Sequence, residues 1–213
     1  MKILIPSKPA QIIACVGESA YKDHFGFLAS PTHAITPDEA IKIGVAWAMD
    51  NGAFVNKTPL AFLAMLKRYQ RYAVKPQWVV ALDVPGNAEA TLQLFPAWNQ
   101  IIKAYGYPVA LAAQDGLKPE QVNWSEIVCL FVGGTDKWRF SRECMALVEA
   151  AKQHKKMTHL GRVNTQSRIK AAFLSGFDTV DGSSFATHKQ EKSHMAVNTL
   201  RWLNNQMEMD LCG

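Results

Sequence analysis

The stretch Gly176-Phe177-Asp178-Thr179-Val180-Asp181-Gly182-Ser183-Ser184-Phe185 reads as a short strand that delivers a carboxylate, Asp181, into a turn of small and hydroxylated residues. Gly182, Ser183 and Ser184 leave space around that carboxylate, and their backbone and hydroxyl groups can position a ligand. An acid where a strand gives way to a loop is how α/β barrels place their chemistry. The alternative is a turn aspartate that caps the following helix. Earlier strand ends bear on the choice, because they also finish in polar residues suited to face Asp181.

Working outward, short β-rich runs alternate with amphipathic segments, which argues for a parallel sheet with crossover helices. The strand candidates are Lys2–Ile5, His24–Leu28, Val45–Met49, Trp78–Leu82, Val109–Ala113, Val128–Val132, Thr158–Arg162 and Thr179–Asp181. Several are continuous apolar runs, as strands buried on both faces should be. Helix starts are marked by Thr36-Pro37-Asp38-Glu39, Thr58-Pro59, Asn87, Ser141 and Thr165, each offering a cap. Leu60, Leu63, Ala64 and Leu66 take core spacing on the second helix, Pro96 should break or kink the third, and Gly176 should close the helix from Thr165. A last helix is expected from about Gln190 to Met207. Eight strands in 213 residues predict a compact single-domain (β/α)8 barrel over residues 1–213. An open doubly wound sheet fits less well, since no glycine-rich phosphate loop follows the first strand.

Composition narrows the class. Hydrophobic residues make up 48% and charged residues 19% of the chain, as in an ordinary globular protein. No apolar run approaches a membrane span, and Met1–Pro6 is too short for a signal peptide, so a cytoplasmic protein is expected. Cys15, Cys129, Cys144 and Cys212 are scattered without a CxxC pair, so neither a zinc cluster nor a disulfide framework is expected. The net charge of +5 suits a polyanionic partner such as nucleic acid.

In a barrel the C-terminal ends of the strands converge on one mouth. They comprise Asp50-Asn51-Gly52-Ala53-Phe54, Asp83-Val84-Pro85-Gly86, Gln114-Asp115-Gly116, Gly133-Gly134-Thr135, His159-Leu160-Gly161-Arg162 and Asp181. Buried carboxylates are costly unless paired, so repeated strand-end acids point to a bound polar ligand. Capping of the next helices is the alternative for Asp50, Asp83 and Asp115 taken singly.

This set resembles the tRNA-guanine transglycosylase barrel. Asp50-Asn51-Gly52-Ala53-Phe54 loosely matches the family's Asp-Ser-Gly-Gly-Phe-Gln-like motif, and Asp83 corresponds to its base-reading aspartate. Ala113-Gln114-Asp115-Gly116 is similar to a Val-Gln-Gly-like motif, Val132-Gly133-Gly134 to a Val-Gly-Glu-like loop, and His159-Leu160-Gly161-Arg162-Val163 to a Leu-Met-Gly-Val-Gly-like strand. The Gly-x-Asp-x-x-Asp context of the family's nucleophile matches Gly176–Asp181 and sets the nucleophile on Asp181. The likeness spans roughly residues 45 to 185 in the family's order. Asn51 and Ala53 depart from the motif, and the cysteine-rich zinc region expected after Asp181 is missing, with His188, His194 and Cys212 unable to rebuild it.

What the resemblance implies is exchange of guanine for a 7-deazaguanine base through a covalent aspartyl-glycosyl intermediate, without a cofactor. Asp181 would attack the sugar and Asp50 would move protons. Asp83 would read the guanine N1–H and 2-amino group, and Gln114 the 6-oxo group. Gly133, Gly134 and Gly161 would border the base, with Phe54 and Leu160 sandwiching it. Backbone contacts are expected from Arg162, Lys57, Lys67, Arg68, Arg71, Lys189 and Lys192, with Lys152, Lys155 and Lys156 on the opposite rim as a solvated helix end. Without the zinc region the chain looks most like the DNA-modifying branch known from phage and bacteria. The alternatives are tRNA as substrate, a nucleosidase or DNA glycosylase in which water resolves the intermediate, and a non-catalytic nucleic-acid-binding subunit.

Overall fold

The computed structural model describes residues 1–6, 23–32, 35–53 and 58–182 and, past these, residues 184, 195, 198, 199, 201–203 and 205. Its strands are β1 (Lys2–Ile5), β2 (Phe25–Ala29), β3 (Ala46–Met49), β4 (Val79–Val80), β5 (Val109–Ala113), β6 (Cys129–Val132), β7 (Met157–Leu160) and β8 (Thr179–Asp181). Each pairs in parallel with the next, and β8 pairs with β1, setting Asp181 opposite Leu4. The result is a closed eight-stranded barrel with helices around it, the (β/α)8 architecture that the strand count predicts. β4 is shorter than the expected Trp78–Leu82, although Ala81 still donates to the Ala110 carbonyl at 3.0 Å.

Alternation along the strands sorts apolar side chains into two layers. Leu4, Leu28, Ala48, Trp78, Val80, Ala110, Ala112 and Cys129 fill the barrel, with Phe131 and Met157 against them. The opposite parity, including Ile3, Phe27, Met49, Leu111, Val132, Leu160 and Val180, packs outward against the helices. The three alanines leave room for the Trp78 indole inside the barrel. Gly26 serves the same crowding: a Cβ there would lie 2.5 Å from Leu4 Cδ2 and 2.8 Å from the Ala46 carbonyl oxygen.

The described helices are α1 (Asp38–Lys42), α2 (Pro59–Tyr69), α3 (Ala88–Ala104), α4 (Arg142–Gln153) and α5 (Gln166–Leu174). Thr58, Asn87, Ser141 and Thr165 cap α2 to α5 as expected, each accepting from the amide three residues on. Gly176 follows α5 at φ +75°, the left-handed turn that favours glycine. Thr36 does not cap α1; its hydroxyl bonds the Asp38 carboxylate and Pro37 holds the cap position.

Two other expectations are corrected. α2 buries Phe62, Met65, Leu66 and Tyr69, a stripe spaced i, i+3, i+4, i+7, so its axis is turned from the expected face and Leu60 is 76% exposed. α3 also runs unbroken through Pro96, which lies exposed on its outer face. Most of the expected helix at 190–207 lies outside the described residues, although Thr199 Oγ1 donates to the Met195 carbonyl at 2.7 Å in one of its turns.

Candidate active site

The inward parity of the strands, continued past their ends, builds the mouth. Ala48 on β3 leads to Asp50, Ala112 on β5 to Gln114, Phe131 on β6 to Gly133, and Thr179 on β8 to Asp181. These residues line a cavity of about 480 Å³, together with Asn51, Asp83, Gly161 and Arg162. Three strand-end carboxylates, Asp50, Asp83 and Asp181, therefore share one pocket, as the strand-end pattern predicts, and Asp136 adds a fourth. Asp115 does not join them. It accepts from the Thr135 amide at 2.7 Å and the Thr135 hydroxyl at 2.6 Å, which ties the β5 and β6 loops together outside the cavity.

Asp181 is held from behind. Its Oδ1 accepts from the Arg162 amide at 3.1 Å and lies 3.0 Å from His159 Nε2. His159 is fully buried, stacked on Phe131 at 4.7 Å and tilted against Trp78 at 4.8 Å. Its Nδ1 lies 2.8 Å from the Thr179 hydroxyl. A carboxylate only accepts, so Nε2 donates to Asp181, and in the neutral ring the Thr179 hydroxyl donates to Nδ1. Asp181 is 16% exposed, toward the cavity.

Asp50 has different surroundings. Ser30 Oγ and the Gly52 amide donate to its Oδ2 across 3.4 and 3.3 Å, which is weak compensation for its depth. Burial, then the charges of Asp181 and Asp83, push its carboxyl up to about 7. Asp83 is braced on both oxygens: Asn51 Nδ2 donates to Oδ1 at 2.7 Å and Gln114 Nε2 to Oδ2 at 2.6 Å. Burial still raises its carboxyl above the ordinary range. Asn51 also donates to the Ala81 carbonyl, and Gln114 Oε1 accepts from the Gly86 amide at 2.8 Å, so both amides are fixed in orientation. Gly133 must be small here, since a Cβ would lie 2.5 Å from Gln114 Nε2.

The β6 and β7 side of the mouth is basic. Arg162 takes a left-handed backbone, φ +60°, uncommon outside glycine and found where a site over-determines it. Its amide faces Asp181, while its guanidinium donates to the Gly133 and Gly134 carbonyls. Arg139, 1% exposed, donates to the Gly161 carbonyl and to Asp136. Arg168, near the start of α5, donates to the other Asp136 oxygen at 2.7 Å. All three arginines line the cavity.

Several expected site residues fall elsewhere. Leu160 is out of phase with His159 and Gly161, so it packs in the outer layer and cannot sandwich a ligand. Among the described residues the aromatic ring at the cavity is Phe131. Gly134 does not line the cavity but lends its carbonyl to Arg162, and the Gly133 and Gly134 amides both donate to the Ala113 carbonyl. Lys67, Arg68 and Arg71 lie at the far end of the barrel. A crossover helix runs back against its strand, so the end of α2 lies beside Trp47 near the start of β3, with the Tyr69 and Tyr72 rings each 6.2 Å from the indole. Phe54, Lys57, Lys189 and Lys192 are outside the described residues.

Phe131, Asp136, Arg139 and Arg168 line the pocket without having been expected there, and His159 behind Asp181 was likewise missed. For His159 and Phe131 a signal existed, since each falls on the inward parity of its strand. Among the described residues no group of three or more His, Cys, Asp or Glu side chains could hold a metal ion, and no helix is long and apolar enough to cross a membrane.

No family model and no curated protein matches this sequence. The fold is similar to several solved barrels. One is a flavocytochrome b2 variant with sulfite bound, with TM-score 0.60 and 13% identity over 99% of this chain and 64% of that one. Another is described as a fructose-1,6-bisphosphate aldolase from Coccidioides immitis, with TM-score 0.56 and 11% identity over 85% of this chain and 73% of that one. A third comes from the tryptophan synthase α2β2 complex of Pyrococcus furiosus, with TM-score 0.52 and 11% identity over 93% of each chain. At such identities the likeness establishes the architecture, a (β/α)8 barrel, which hosts many chemistries.

Proposed function

We propose that this chain is a guanine transglycosylase, an enzyme that exchanges guanine in DNA for a 7-deazaguanine derivative. The observation that carries the proposal is one pocket holding two differently poised carboxylates, Asp181 and Asp50. Asp181 is oriented by His159 and by the Arg162 amide, with Oδ2 unbonded among the described residues, as a nucleophile requires. Asp50, at about 7, can both give and take a proton near neutral pH. An acid raised to near neutrality beside a second carboxylate lets one site run acid and base steps.

In this mechanism Asp181 Oδ2 attacks C1′ of the target nucleotide as the bond to guanine N9 breaks. Asp50 gives its proton to the departing base. The incoming 7-deazaguanine base then loses its N9 proton to Asp50 and attacks C1′, and Asp181 leaves. The proton count closes and the configuration at C1′ is retained after two displacements. Asp83, held by Asn51 and Gln114, keeps lone pairs for the guanine N1–H and 2-amino group. Gln114 has a second N–H for the 6-oxo group. The Phe131 ring borders the space for the purine. The target base must leave its stack, a cost of a few kcal/mol that backbone contacts offset.

The test is to incubate the protein with DNA or tRNA labelled in guanine, with and without a 7-deazaguanine. Label lost from DNA only when the deazapurine is present supports the proposal. Loss from tRNA alone moves the substrate to RNA. Loss without any incoming base means that water resolves the intermediate, and no loss under any condition rejects the chemistry.

A further inference from the structure

The cavity is polar in two opposed senses. Asp50 and Asp83 stand on the β3 and β4 side, while Arg139, Arg162 and Arg168 stand on the β6 and β7 side, with Asp181 on β8 next to them. Among the described residues Asp136 is the carboxylate that pairs with these side chains, and both of its oxygens are taken, Oδ1 by Arg139 and Oδ2 by Arg168. Arg139 and Arg168 share that single carboxylate, so the pair keeps about one positive charge, taking each arginine as always protonated. Arg139 is 1% exposed and its Nε is a buried donor with no partner. A buried guanidinium that shares its carboxylate with a second arginine is costly unless a ligand completes it.

We propose that this arginine cluster is a phosphate subsite, which takes the phosphate joined to the sugar whose base lies against Asp83. The proposal rests on the transglycosylase reading for the identity of the base and not for the subsite itself. The order around the mouth matches a nucleotide laid across it. Donors of the base edge meet Asp83 and Asp50, the sugar lies over Asp181, and the phosphate meets the guanidiniums. Arginine is suited to this role, because its planar fork matches the phosphate oxygens. Arg168 is the principal contact. It is 38% exposed by side chain and holds only the exposed carboxylate Asp136, so it can turn to a ligand without opening the core. Arg162 and Arg139 are braced on backbone carbonyls and supply fixed positive charge. The subsite distinguishes the molecule from one that merely binds a purine, since a nucleoside lacks the group it holds.

Calorimetry on the full chain with deoxyguanosine, deoxyguanosine 5′-monophosphate, a short single-stranded oligonucleotide with one guanine, and inorganic phosphate tests this. The monophosphate should bind about tenfold or more tighter than the nucleoside, as expected of a charge-assisted contact. Arg168→Gln should remove most of that advantage and Arg168→Lys should restore part of it, while Lys67→Gln at the far end should leave it intact. If the oligonucleotide gains more than the monophosphate, the natural ligand is a polymer diester; the reverse identifies a free nucleotide. Phosphate binding that is lost in Arg168→Gln without any nucleoside binding would keep the subsite and remove the guanine reading. Equal binding of nucleoside and monophosphate, or an advantage untouched by Arg168→Gln, would overturn the subsite whatever happens to the base.

Discussion

Two aspartates three residues apart, Asp178 just before β8 and Asp181 at its end, live in opposite surroundings. Asp178 sits where the strand begins. Its Oδ2 accepts from the Thr158 amide at 2.7 Å and the Thr158 hydroxyl at 3.0 Å, so it stitches the bottoms of β7 and β8 together. Asp181 ends the same strand at the mouth, with a buried histidine behind it and a cavity in front. Three residues of parallel strand are enough to move a carboxylate from one face of the barrel to the other and from stitching to chemistry. The comparison extends to the basic residues. Arg162 and Arg168 line the mouth, whereas Lys67, Arg68 and Arg71 surround the foot.

The sharpest way to break this comparison is to remove each acid in turn. Asp181→Asn should lower base exchange at least about a thousandfold, because an amide is a poor nucleophile and lends no charge to the oxocarbenium. Asp178→Asn should leave exchange near the wild-type level but cost some stability, about 0.5–1.5 kcal/mol by denaturant unfolding, since it weakens an exposed carboxylate's hydrogen bonds with Thr158. Mass spectrometry of protein quenched with DNA and no incoming base should find a glycosyl adduct on the peptide bearing Asp181. An adduct mapped to Asp178, or an active Asp181→Asn protein, reverses the roles of the two ends.

Next in size is Asp50. Asp50→Asn should slow exchange by about a hundredfold to ten-thousandfold, the range for loss of an acid–base group. The wild-type pH–rate profile should show a limb near 7 that vanishes in the variant. Stability gives an independent check. The folded carboxyl titrates above its unfolded value, so the native state binds more protons between about 4 and 7, and stability should fall as pH rises through that window. Asp50→Asn should flatten this slope and raise stability at pH 8. An unchanged slope would mean that Asp50 is not held in its raised state.

His159 should matter less than the acids but in a telling way. His159→Gln retains a donor for Asp181 and should lose about one order less activity than His159→Leu, with the loss in kcat rather than KM; an amide spans less than an imidazole, so about tenfold is expected for Gln against about a hundredfold for Leu. Equal losses in both variants would make the imidazole a core filler. The smallest effect is expected at the foot. Lys67→Gln, Arg68→Gln and Arg71→Gln together should leave the salt dependence of DNA binding unchanged, whereas each lost phosphate contact would lower the slope by about one. A flatter slope would bring the end of α2 into the nucleic-acid surface.

Much of this was legible in one dimension. Parallel strands buried on both faces are written as apolar runs, and all eight fall within two residues of their expected ends. Caps are local, so Thr58, Asn87, Ser141 and Thr165 could be read directly. Strand-end polar residues must converge once the sheet closes, which made Asp50, Asp83, Gln114 and Asp181 readable as a set. Phase and direction were harder. The period of two puts His159 inward and Leu160 outward, yet the letters Met-Thr-His-Leu do not alternate apolar with polar and so do not fix it. The face of α2 depends on how the helix rolls onto the barrel, which its own letters leave open among Leu60, Phe62, Leu63 and Leu66.

The sequence by itself determined the strand count, the parallel closed sheet and the acids at its mouth, because those follow from local burial patterns and short-range turns. Only the tertiary structure decided what stands behind and beside those acids. Arg139 reaches the Gly161 carbonyl from 22 residues away, His159 meets Asp181 across the same separation, and Gln114 grips Asp83 across 31. Such contacts depend on the register between strands and on which way each side chain leaves the barrel. Both are set by packing the whole sheet at once, so no single segment encodes them.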